Sequence, residues 1–194
     1  MNENQNFERY GIKKPYKEMT FETFNVDSNL QVAFRICKEY ANNFRYSLNF
    51  GSDAGNLFLI DRNPGSGKTH LACAIANDVS KKSIDSLLVY IPDFLANVTP
   101  ELDSMDSILP DIKHALIRVP LLIIDDIGFD TPTKWQLEVL YKVIHSRVAY
   151  YKPMIVTSKR TPRELREKID PLLITLIEDG ASVVSIDASN PIFF

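Results

Sequence analysis

The sequence predicts a single three-layer α/β domain, a parallel sheet with helices on both faces. Three observations carry that prediction. Short apolar runs alternate along the chain with stretches whose apolar residues recur at helical spacing, the order that builds βαβ units. The runs are continuously apolar rather than alternating, which calls for a sheet covered on both faces. The chain has 194 residues, 45% of them hydrophobic, with 11 Phe and 8 Tyr, enough to bury one core.

Residues 1–28 are polar and aromatic, with a small basic cluster at Lys13, Lys14 and Lys17. From Asn29, Leu30, Ala33, Cys37, Tyr40, Ala41 and Phe44 fall at helical spacing. Residues 1–50 are expected to be an N-terminal segment and helix packed on a core built by residues 51–194. Asn56–Ile60 reads as a short buried strand, and Lys68–Lys82 as a helix with Leu71, Ile75 and Val79 on one face. Ser86–Ile91 is a second strand, Leu102–Arg118 a packing helix, and Val119–Asp125 a third strand. Trp135–Val148 is helical through Leu137, Leu140, Tyr141, Ile144 and Val148, and Pro153–Ser158 is a fourth strand. Thr161-Pro162-Arg163-Glu164 has the form of a capping box with Pro at the first helical position. A short helix to about Ile169, another over Leu172–Glu178 and a last strand at Ser182–Ile186 complete the pattern.

The formal charge is −3, so bulk attraction to nucleic acid is excluded and any such contact has to be a local patch or be shared among subunits. Cys37 and Cys73 belong to no CxxC pair, which excludes zinc knuckles and disulfide frameworks. No apolar run approaches the length needed to cross a bilayer, and residues 1–16 lack the apolar core of a signal peptide. A reducing, cytoplasmic setting is expected.

Arg62-Asn63-Pro64-Gly65-Ser66-Gly67-Lys68-Thr69 lies directly between a predicted strand and a predicted helix, the context a phosphate-binding P-loop requires. Gly65 and Gly67 let the backbone curl so that several N–H groups converge, and the following helix adds its positive end. Asn63, Pro64, Gly65, Ser66, Gly67, Lys68, Thr69 and His70 are the candidate nucleotide-binding residues. Lys68 is expected on the β- and γ-phosphates, and the Thr69 hydroxyl on Mg2+. The full pattern has Gly where this chain has Arg62. Leu121–Ile124 is an aliphatic run ending in Asp125 and Asp126. Asp125 is the expected metal-side acid, and Asp126 the group to orient or deprotonate an attacking water. If the fourth strand lies between the P-loop strand and the acid strand, its end brings Ser158 or Lys159 near the γ-phosphate. Lys68, Asp126, Ser158 and Lys159 are thus the catalytic candidates. Lys159, Arg160, Arg163, Arg166 and Lys168 form the densest basic run, read as a solvated helix ion-paired with the interspersed Glu164 and Glu167 or, alternatively, as a patch for DNA phosphate or a neighbouring subunit's nucleotide.

Gly65-Ser66-Gly67-Lys68-Thr69-His70-Leu71-Ala72 followed by Ala74-Ile75-Ala76-Asn77 resembles the P-loop helix of the DnaC/DnaI/IstB-type AAA+ ATPases. Tyr90–Leu95, Leu122–Gly128 and the Ser146-Arg147 … Pro153 … Val156-Thr157-Ser158 series are similar too, and Thr20-Phe21 … Phe24 … Asn29 is similar to the segment beside adenine in those proteins. The resemblance covers roughly residues 10 to 187. It implies a five-stranded AAA+ core without a C-terminal lid domain, binding ATP and Mg2+ in bacterial or phage DNA replication. The implied partners are the replicative helicase or other replication proteins, with weak single-stranded DNA binding and self-association as further expectations, and no membrane. The family's arginine finger falls where this chain has Thr175, and Arg147 and Arg160 are the candidate substitutes. With Arg62, Lys159 and Thr175 at those positions, the expectation is a nucleotide-dependent switch with weak ATPase activity. Two alternatives share the core: a non-catalytic loader-like module that modulates replication proteins, and an IstB-like transposition helper.

Overall fold

In the computed structural model, residues 7–45, 54–98, 108–128 and 132–186 are described. In chain order the elements are β1 (Ile12–Lys13), α1 (Gln31–Asn43), β2 (Asn56–Ile60), α2 (Lys68–Ser80), β3 (Ser86–Tyr90), α3 (Ile91–Asn97) and α4 (Ile108–Arg118). Then follow β4 (Leu121–Asp125), α5 (Lys134–Ala149), β5 (Met154–Ser158), α6 (Pro162–Lys168), α7 (Pro171–Glu178) and β6 (Ala181–Ser185). They make one six-stranded sheet in the order β1-β3-β4-β5-β2-β6. The five strands from β2 to β6 are parallel, as the apolar runs predict, and β5 lies between β2 and β4.

Strand parity sorts the core into two apolar layers. Leu57, Leu59, Leu88, Leu121, Ile123 and Ile155 face Ala33, Cys37, Leu71 and Ile75 of α1 and α2. Phe58, Ile60, Leu122, Ile124, Val156 and Val183 face Ile112, Leu116, Val139, Ile144 and Ile174 of α4, α5 and α7. Every residue of β2, β4 and β5 is buried, which is why those runs carry no polar face.

Three differences from the sequence reading have physical causes. A sixth strand, β1, adds an antiparallel edge on β3 to the expected five; two residues are too few to show a period. The second strand stops at Tyr90 and α3 follows, because Pro92 fits the first helical turn and Asp93 favours its positive end. The first helix starts at Gln31 rather than Asn29, since the Asp27 carboxylate accepts the N–H groups of Asn29 and Leu30 in a turn. Of the helix expected over Leu102–Arg118, Ile108–Arg118 is α4; residues 99–107 lie outside the described residues, as does the apolar 190–194 stretch. Among the described residues no helix is long and apolar enough to cross a membrane.

Candidate functional site

β2 delivers the chain at Asp61, whose carboxylate accepts the Asn63 N–H at 2.7 Å and starts the loop turning. Gly65 and Gly67 both take left-handed backbone, with φ of +76° and +93°. A Cβ on Gly65 would meet nothing within 4 Å, whereas one on Gly67 would lie 2.5 Å from the Phe24 ring. Gly67 is the N-cap of α2 and no side chain caps that helix. Its first intrahelical bond runs from Leu71 N–H to Gly67 O, so the N–H groups of Lys68, Thr69 and His70 precede it and face the cavity end.

The Lys68 side chain is buried, and its ammonium donates to Asp61 O (2.9 Å), Asn63 O (3.1 Å) and Ser66 Oγ (3.0 Å). Burial pulls its pKa below the usual lysine value, with the Asp61 charge opposing. Arg62 does not take left-handed backbone, so the missing glycine costs no backbone strain there. Its guanidinium instead reaches Glu164 Oε1 at 2.7 Å, the carboxylate that caps α6 through the Thr161 N–H.

Across the cavity, Asp125 ends β4 buried, its Oδ1 accepting from Thr69 Oγ1 at 2.8 Å and Thr157 Oγ1 at 2.7 Å. Burial pushes its pKa above the usual aspartate value, and the two hydroxyls pull it partly back. Asp126 has a φ of +59°, its N–H donates to Thr157 Oγ1 at 2.9 Å, and its Oδ2 lies 3.0 Å from Lys159 Nζ. These groups, with the loop from Pro64 to His70, line a cavity of about 420 Å³ that Tyr90 and Met19 complete. Thr157, Tyr90 and Met19 were not among the candidates read from the sequence. Parity identifies Thr157 after the fact: Ile155 shares the α2 layer with Ile123, so Thr157 and Asp125 point the same way.

The same parity corrects Ser158. Its hydroxyl is fully buried on the opposite face, donating to Ile127 O (2.6 Å) and accepting from Arg160 N–H (3.0 Å), so Lys159 alone of that pair lines the cavity. His70 lines the cavity, but its Nε2 is 2.9 Å from Thr20 O and its ring meets the Phe24 ring edge-on at 5.0 Å. Asn77 holds the same strap, donating to Tyr16 O and Met19 O at 2.8 Å. Arg147 is no finger candidate. It is fully buried in α5, and its guanidinium donates to the carbonyls of Leu116, Ile117, Val119, Pro120 and Pro153, tying the end of α4 to the starts of β4 and β5. Thr175 donates its hydroxyl to Pro171 O within α7. Of the basic run, Lys159 pairs with Asp126, Arg163 with Glu167 and Arg166 with Glu178.

A model of the bacterial DnaA ATPase domain matches residues 16–184 of the chain. The chain belongs to that family. The replicative helicase loader DnaC of Escherichia coli K12 is 23% identical over 186 residues, which are 94% of this chain and 72% of the relative. The loader DnaI of Bacillus subtilis is 30% identical over 129 residues, 66% of this chain and 40% of DnaI. A crystal structure of DnaI superposes with a TM-score of 0.74 at 20% identity, covering 88% of this chain and 93% of that one. AMPPCP-bound DnaA of Aquifex aeolicus superposes at 0.72 and 24% identity, over 89% of this chain and 51% of that one. This protein is therefore a DnaC/DnaI-like AAA+ ATPase of the DnaA and helicase-loader family.

Proposed function

We propose that this AAA+ protein is an ATP- and Mg2+-dependent switch that engages the replicative helicase and hydrolyses ATP slowly. The observation that carries the reading is the Thr69 hydroxyl on the Asp125 carboxylate, 2.8 Å apart, beneath a loop whose N–H groups converge at the open end of α2. The residues fit the groups they would hold. An uncapped helix start and an ammonium among loop acceptors suit a polyphosphate. One carboxylate and one hydroxyl suit Mg2+, which takes few protein ligands and keeps water and phosphate oxygens for the rest. Among the described residues no group of three or more His, Cys, Asp or Glu competes as a metal centre. Bound Mg2+ supplies neutralisation of phosphate charge.

On the protein's side, Lys68 exchanges carbonyl partners for phosphate oxygens, and the Thr157 hydroxyl keeps the two neighbouring acids in fixed orientation. Slow turnover is supported by the Lys159 ammonium on Asp126, the acid that would take a proton from water, and by Thr175 and buried Arg147, neither of which offers a cation to a neighbour's nucleotide. The helicase as partner follows the name of the E. coli relative, aligned with nearly the whole chain.

The test is gel filtration of the purified protein with a replicative helicase, with ATP, with ADP and with neither. Co-elution strongest with ATP is expected, with turnover below about 10⁻² s⁻¹. Failure to co-elute under all three conditions, or fast hydrolysis unaffected by Asp126→Ala, would overturn the reading.

A further inference from the structure

We propose that the protein partner docks at the amino ends of the parallel strands, against Tyr150 and Tyr151, through a segment that carries carboxylates around one apolar anchor side chain. The inference rests on the helicase-engaging reading above and names the surface and the chemistry of that contact.

Tyr150 and Tyr151, between α5 and β5, are 65% and 73% exposed, two consecutive phenol rings in water. Tyr151 holds a left-handed backbone, with φ at +51°, which a bulky side chain adopts at a cost and Gly or Asn takes readily. It lines a cavity of about 200 Å³ together with Val148, Pro153, Gly55 and Gly180. Gly55, Pro153 and Gly180 directly precede β2, β5 and β6, so this hollow lies a strand length, roughly 17 Å, from the end that holds the nucleotide cavity.

Two cations stand beside the rings. Lys152 lines the hollow and donates to Arg118 O at 2.9 Å, which occupies one of its three protons. Arg118 is exposed at the end of α4. Among the described residues neither pairs with a carboxylate. Burial lowers the Lys152 pKa, and the Arg147 and Arg118 charges lower it further, so the local field is positive. Against these three cations the lining sets one carboxylate, Asp179. Exposed tyrosines beside arginine at a small apolar hollow are the composition of an interface hot spot, where rings and cavity keep water from a few charge pairs. The hollow takes one large apolar side chain, and acidic neighbours of that anchor meet Arg118 and Lys152. Asp179 keeps phosphate out of the hollow, which favours a protein segment over a nucleic acid strand.

Binding of a replicative helicase to the full chain is measured by fluorescence anisotropy in Mg2+-ATP for wild type, Tyr150→Ala/Tyr151→Asn, Arg118→Glu and Arg118→Lys, with nucleotide affinity followed by calorimetry. All three side chains are exposed and Asn tolerates the left-handed backbone, so the variants keep the fold. The paired tyrosine variant is expected to weaken helicase binding by at least about tenfold. Arg118→Glu weakens it by about tenfold with a shallower salt dependence, and Arg118→Lys stays within about threefold of wild type. Nucleotide affinity stays within about twofold throughout, since that site is at the other end of the sheet. Equal helicase affinity in wild type and the paired tyrosine variant overturns the proposal. So does a loss of single-stranded oligonucleotide binding in these variants with helicase binding intact. If wild type binds no helicase, the partner reading falls and this surface with it; if wild type binds and the variants match it, the surface alone is wrong.

Discussion

The Thr157 hydroxyl has one proton, donated to Asp125, and its oxygen accepts the Asp126 N–H, so one side chain orients both acids. Thr157→Val keeps the shape and removes both bonds; it is expected to cost about 1–2 kcal/mol of stability by chemical denaturation and to weaken Mg2+-dependent nucleotide affinity about tenfold, while Thr157→Ser keeps both properties. Asp125 carries a linked pH effect. Its pKa is raised in the fold by burial, so the protonated form is the better folded one. Its contribution to stability is greatest below the ordinary aspartate range and is lost as pH rises through the raised value. Metal binding has the opposite sign, since it needs the ionised carboxylate; Mg2+-nucleotide affinity is expected to fall as pH drops into that raised range, earlier than an unperturbed aspartate would dictate. Asp125→Asn should then stabilise the metal-free fold by roughly 1 kcal/mol in thermal melts while abolishing Mg2+-dependent binding. The meeting of Lys68, Thr69, Asp125 and Asp126 at one cavity was legible because each sits in a contiguous motif at the end of an apolar run. Ser158 was misplaced and Thr157 missed because both are small hydroxyls at a strand end. Which one faces the cavity depends on the register of β5 against β2 and β4, a long-range property.

At the scale of elements, α2 and the strap over residues 16–24 act together. The strap is held by His70 and Asn77 of α2, and Phe24 lies against Gly67. A Cβ at Gly67 meets both an aromatic ring and a left-handed backbone, so Gly67→Ala is expected to destabilise the fold and to remove nucleotide binding, measurable as a lowered Tm and loss of calorimetric heat. Arg147 joins α4, α5, β4 and β5 through the carbonyls of Leu116, Val119, Pro120 and Pro153. Arg147→Met leaves several of those oxygens without a donor and should cost about 3 kcal/mol or more, a fall in Tm of roughly 6–12 °C. The parallel strands and long helices were readable from periodicity, and the capping box at Thr161 from four residues. β1 and α3 were not, because a two-residue edge strand and a seven-residue helix are decided by tertiary contact; Gly11 has a left-handed φ, and a Cβ there would lie 2.8 Å from Asp93 Cβ and Tyr90 O.

For the whole molecule, the relation to DnaC and DnaI runs through the ATPase domain, and the sequence showed that relation in the same motifs that build the site. The sheet brings residues from five separated stretches, around Met19, the P-loop, Tyr90, Asp125 and Thr157, to one end where the parallel strands present their carboxyl termini. That convergence makes the domain a candidate for reporting nucleotide state to a partner, and co-elution with the helicase that is stronger in ATP than in ADP is the expected outcome at this scale. All of it depends on the polyphosphate entering the loop. Calorimetric titration of Mg2+-ATP into wild type and into Lys68→Ala tests this most directly: a saturable heat from wild type that disappears in Lys68→Ala is predicted, and a wild-type titration indistinguishable from buffer would contradict it.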